Sequence, residues 1–131
     1  VVSPDSLMID QSADVRAIVS FLKFLVRPDD LGVRWDFLNK LWNSEAVGIG
    51  FEEKHLFMDK LIHVPAYKLH EFLESNLVDY SLANLLELSL VDKVYYVAGL
   101  LKLPIQKNPF LHTFMDQVVD YQNKILSSLA L

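Results

Sequence analysis

SADVRAIVSFLKFLVRPDD, residues 12–30, carries Val15, Ile18, Val19, Leu22, Leu25 and Val26 at offsets of 0, 3, 4, 7, 10 and 11. That spacing puts six apolar side chains on one stripe of a helix with 3.6 residues per turn. Arg16, Ser20, Lys23 and Arg27 fall on the opposite side. Ser12 stands where a hydroxyl can accept from the free N–H groups of a first helical turn. Pro28 lacks an N–H and disfavours α geometry at Arg27, so it stops the helix. One amphipathic helix, capped and stopped, is predicted.

The same signals recur along the chain. LGVRWDFLNKLWN (31–43) has Val33, Phe37, Leu38 and Leu41 on one face, and Asp29-Asp30 before it supplies a turn and a cap. FEEKHLFMDKLIHV (51–64) offers Phe51, Leu56, Phe57, Leu61 and Ile62 as a core stripe, with Glu52 and Glu53 in its first turn, where acids suit the positive end of the helix dipole. Pro65 opens AYKLHEFLESN (66–76), and SLANLLELS (81–89) makes a turn or two more. In SLVDKVYYVAGLLKLP (89–104), Leu90, Val91, Val94, Val97, Ala98 and Leu101 share a face and Pro104 ends the helix. NPFLHTFMDQVVDYQNKIL (108–126) starts on an Asn108 cap with Pro109 at the first helical position, and its stripe runs through Leu111, Phe114, Met115, Val118, Tyr121, Gln122 and Ile125. The tryptophans and phenylalanines are expected in the core. Short connections join these helices, so the fold class is all-α: a compact orthogonal bundle of six to seven helices. VVSPDSLMI (1–9) could add a short N-terminal strand. Residues 1–131 read as a single helical domain, with 1–11 as a junction segment and 12–131 as the helical body.

With 52% hydrophobic and 22% charged residues, the chain has the composition of a folded domain rather than a disordered one. Its densest apolar run, AIVSFLKFLV (17–26), is too short for a membrane span and contains Lys23. The lack of cysteine removes disulfides and thiolate chemistry and suits a reducing cytoplasm, the expected location. The chain opens on Val1 and ends in the apolar run SSLAL, and it is read as a piece of a larger polypeptide. A net charge of −5 repels nucleic acid on average, so any DNA contact must be local.

No GxSxG, GxGxxG or phosphate-cradling GxxxxGKS/T pattern is present, and neither a catalytic nor a cofactor-binding residue is predicted in this chain. His112, Asp116 and Asp120 share a helix face at metal-ligand spacing, but a solvated polar face gives the same pattern, and no metal residue is assigned. His55, His63 and His70 belong to no ligand motif. The best candidate is AVGIGFEEKH (46–55), where Gly48 and Gly50 flank Ile49 just before a helix start. Glycines let backbone N–H groups approach a phosphate, although such loops also simply connect helices, and Glu52 and Glu53 oppose an anion.

Asp14-Val15-Arg16 at the start of the first helix and Arg27-Pro28-Asp29-Asp30 at its end resemble the junction where the second motor domain of UvrD/Rep-type superfamily 1 DNA helicases passes into its helical 2B insert, in the style of the AddA-like helicase-nucleases. VYYVAGLLKLPIQKNPFLHTFMDQVVDY is similar to a later passage of that insert, and Gly48-Ile49-Gly50 matches the family's Gly-Ile-Gly loop in sequence and order, with Val47 where the family has arginine. The resemblance implies an accessory subdomain that guides duplex or forked DNA or regulates an ATP-dependent motor. Gly48, Ile49, Gly50 and Lys54 would be its DNA-backbone contacts. ATP, Mg2+, the RecA-like motor domains and any exonuclease activity would belong to the parent protein. No membrane partner and no small-molecule substrate are expected. The alternative is a helical protein-interaction module with no nucleic-acid role, which suits the acidic charge and the many aromatics.

Overall fold

The computed structural model describes residues 12–44 and 53–129. Among these residues there are seven helices and no strand. They are α1 (Ala13–Val26), α2 (Leu31–Asn43), α3 (Lys54–Leu61), α4 (Ala66–Asn76), α5 (Leu82–Glu87), α6 (Leu90–Leu100) and α7 (Pro109–Leu129). The all-α fold predicted from periodicity is the fold found. The proposed strand at 1–9 and the loop holding Gly48, Ile49 and Gly50 lie outside the described residues.

Side-chain caps fix where the helices begin. The Ser12 hydroxyl accepts from the Val15 N–H, Asp30 from Val33, Ser81 from Asn84 and Ser89 from Asp92. Asn108 accepts from the Phe110 and Leu111 N–H groups of α7, at 2.9 and 3.4 Å. Each cap satisfies donors that helical geometry leaves unpaired. Glu53 occupies the cap position of α3 without a side-chain cap bond.

The hub is α1, which packs against α2, α6 and α7, while α3 adds to α2 and α5 to α6. This central position corrects the single-stripe reading of residues 12–30. Phe21 and Phe24 are fully buried alongside Val15 and Ile18, whereas Val26 is 78% exposed. A helix covered on several sides buries more than one stripe, so Ser20, placed on the polar side by periodicity, is buried as well. Its hydroxyl donates to the Asp36 carboxylate at 2.7 Å.

Aromatic rings tie α1 to its neighbours. Phe24 stacks on Phe37 at a centroid distance of 4.2 Å, and Phe21 meets the same ring edge-on at 4.8 Å. Fully burying each such ring contributes roughly 1.5–3 kcal/mol. Trp42 packs beside Phe57, but Trp35 is exposed and is not a core residue. In α3, Met58 takes the buried place expected of Leu56.

Arg34 is a charged core residue, only 3% exposed. Its Nε donates to the Pro28 carbonyl at 2.8 Å, and its Nη1 donates to the carbonyls of Ile62, at 3.1 Å, and Val64. One guanidinium thus joins the α1–α2 turn to the α3–α4 connection.

α6 ends at Leu100, before Pro104. Lys102 takes a left-handed φ of 56°, its N–H donates to Gly99 C=O, and the Leu103 N–H donates to Ala98 C=O. These are the paired bonds of a Schellman ending, with lysine where glycine is usual. Along α7, Leu111, Met115 and Val118 are buried, but Tyr121 and Ile125 are exposed. At 21 residues the helix is about 31 Å long, and its far turns run past the neighbours that cover its start. Gln122, half-buried, turns inward and accepts from the Val91 N–H of α6 at 2.9 Å.

Candidate functional site

A groove of about 630 Å³ lies between the start of α1, the end of α2 and the α6–α7 turn. Ala13 and Ala17 of α1, one turn apart, are small enough to leave it open. Asn39, Lys40 and Asn43 of α2 form one wall, and the Leu101–Pro104 turn forms the other. Arg16 and Lys40 are shared with an adjoining depression that also holds Ser20, Lys23 and Asp36. The two together form a trough along the α1–α2 face. From Ala13 to Lys23 is ten residues, or about 15 Å of helix.

Among the described residues four cations line this trough, Arg16, Lys23, Lys40 and Lys102, against the carboxylates of Asp14 and Asp36. Both carboxylates are already engaged. Asp14 accepts from the Asn108 amide at 2.8 Å. Asp36 accepts from Lys40 and Ser20. Burial alone would raise the Asp36 carboxyl, but the bonds from Lys40 and Ser20, with the nearby charges of Lys40 and Lys23, hold it below its ordinary value. It therefore stays ionised and orients Lys40. Arg16 and Lys102 form no ion pair among the described residues. A chain with net charge −5 thus keeps a trough of opposite sign.

Of the predicted contacts, Lys54 is the first residue of α3 and does not line the trough. Gly48, Ile49 and Gly50 follow Ser44, which does line it, but lie outside the described residues. His112 and Asp116 approach to 3.9 Å, while Asp120 pairs with Lys124 at 3.1 Å instead. Among the described residues no three histidine, cysteine or acidic side chains are grouped to hold a metal. Nor is any helix there long and apolar enough to cross a membrane.

Arg16 and Lys102 are not among the contacts expected from the sequence. Arg16 and Lys23, seven apart, carried a signal as a shared helix face. Lys102 carried none, because only the folded α6–α7 turn brings it to the start of α1. Compared with known proteins, the chain matches no family model, no curated protein and no solved structure.

Proposed function

We propose that this chain is the helical accessory subdomain of a UvrD/Rep-type, ATP-dependent DNA helicase, guiding duplex DNA or regulating the motor. The observation that carries the reading is a joint between the two segments that resemble that family. Asp14, in the Asp-Val-Arg start of α1, accepts a hydrogen bond from Asn108, which caps α7, across 94 residues of chain. Arg27-Pro28-Asp29-Asp30 supports it from the other end of α1, as the turn in which Asp30 caps α2 and Arg34 grips Pro28. In this reading ATP hydrolysis belongs to motor domains of the same polypeptide, and Gly48, Ile49, Gly50 and Lys54 meet the duplex backbone.

The reading expects a GxxxxGKS/T loop upstream in the same open reading frame and further motor motifs downstream. A frame without them refutes it. With the motor present, replacing Gly48 and Gly50 by alanine in the parent enzyme weakens fork binding; unchanged binding and unwinding remove those glycines from the contact.

A second reading, a helical protein-interaction module, is favoured by one feature. Val119, Tyr121, Ile125 and Leu126 expose apolar surface along the outer half of α7. Such a module ignores DNA at every salt concentration, whereas a DNA-guiding domain binds it more weakly as salt rises.

A further inference from the structure

We infer that the trough between α1, α2 and the α6–α7 turn seats the phosphate backbone of double-stranded nucleic acid, with Arg16 and Lys102 as its principal contacts. The inference rests on the helicase reading only for the choice of DNA as the polyanion. Charge supplies the first argument. Among the described residues four cations face two carboxylates that already have partners, a balance that leaves charge for about two phosphates. Backbone geometry supplies the second. Lys102 holds a left-handed φ of 56° that costs a non-glycine residue roughly 1 kcal/mol, at a helix ending where glycine is favoured. Strain kept at a position that lines this groove points to work for its side chain.

The lining decides between duplex and single strand. Single-strand sites stack bases on aromatic rings, and among the described residues no aromatic side chain lines either part of the trough. Amides and ammonium groups facing a phosphate backbone position a duplex without reading its sequence.

The test is fluorescence anisotropy of the full protein with a short mixed-sequence duplex and with a single strand of equal length, at salt above about 0.1 M. The variants are Arg16→Gln, Lys102→Gly and, at the exposed far end of α7, Lys124→Gln. Lys102→Gly removes the cation while relieving the backbone, so a thermal melt at or above wild type shows that any lost affinity is not unfolding. The trough contributes about −1.8 to the slope of log affinity against log salt, and Arg16→Gln and Lys102→Gly each remove about 0.9 of it. Lys124→Gln leaves the slope unchanged. Equal effects of all three variants, no effect of the first two, or tighter binding of single strand than of duplex each overturns the inference. Salt-dependent duplex binding that ignores Arg16 and Lys102 refutes the trough and leaves the helicase reading standing. Failure of the wild type to bind duplex at any salt refutes the trough, while the helicase reading is decided separately by the motor motifs of the flanking reading frame.

Discussion

Replacing Arg34 by methionine tests whether one buried cation holds two connections together. The guanidinium donates to the carbonyls of Pro28, Ile62 and Val64, and its side chain is almost wholly covered. Hydrogen bonds from a charged donor contribute about 1.5–3 kcal/mol each, so three would total about 4.5–9 kcal/mol if nothing replaced them. Methionine keeps the apolar stem, and the three carbonyls belong to half-buried residues that water can partly reach. The expected loss is therefore about 3–5 kcal/mol, a large share of a small domain's stability. Arg34→Lys keeps the charge but offers a single nitrogen, which cannot span Pro28 on one side and Ile62 and Val64 on the other; it should lose about 2 kcal/mol. Asp29 lies 3.6 Å from the guanidinium but is 86% exposed, so Asp29→Asn should cost under about 0.5 kcal/mol. Urea denaturation followed by circular dichroism reads all three as shifts in midpoint at constant slope. If Arg34→Met loses less than about 1 kcal/mol, the pair of connections does not depend on the clamp. If Arg34→Lys is neutral, the fork geometry is irrelevant.

Gly99→Ala should stabilise the protein by about 0.5–1 kcal/mol, because a methyl group on this helical glycine would meet no atom of another described residue within 4 Å beyond its own helix backbone and chain neighbours; a lower thermal midpoint would contradict that. Asn108→Ala should cost about 1–2 kcal/mol in urea denaturation, since it removes the α7 cap together with the bond to Asp14. His70 supplies a pH dependence. Burial lowers its pKa from 6.5, Glu74 opposes this, and Arg34 adds to it, while Nδ1 pairs with the Tyr80 hydroxyl at 2.8 Å. A lowered folded pKa means that the unfolded chain takes up the proton first, so this stability is complete above pH 6.5 and is lost as pH falls toward the folded value. Thermal midpoints of wild type and His70→Asn should therefore converge between pH 7.5 and 5.5; parallel curves would show that His70 does not titrate differently on folding.

Helix existence was legible because it depends on local signals. Ser12, Asp30 and Asn108 are caps both in the sequence reading and in the structure, and Pro65-Ala66 opens α4 where proline predicts a start. Which face each helix buries was less legible. Periodicity assumes one covered side, which fails for α1, wedged among three helices, and for the outer half of α7, which passes beyond its neighbours. Arg34 was invisible because its partners are backbone carbonyls, two of them about 30 residues away, and carbonyls have no sequence signature. The trough was half legible: α1 shows Arg16 and Lys23 on one side, but Lys102 joins them only through the turn after α6.

Global and local charge act on the proposed duplex contact in opposite directions. The molecule as a whole, at −5, repels DNA, while the trough attracts it. At about 0.01 M salt the screening length is near 30 Å, so the net negative charge of the whole domain is felt by an approaching duplex. At about 0.15 M it falls to about 8 Å, shorter than the 15 Å trough, and only the nearby cations count. Raising salt from very low values therefore removes repulsion before it removes attraction. Affinity should pass through a maximum and then fall with the slope set by Arg16 and Lys102. A basic DNA-binding surface gives no such maximum, since its distant charges attract as well. A monotonic decline from the lowest salt in wild type would mean that the domain's net negative charge does not act on the bound duplex. A falling limb that flattens in Lys102→Gly while the low-salt rise persists would tie the attraction to the trough and the repulsion to the rest of the molecule.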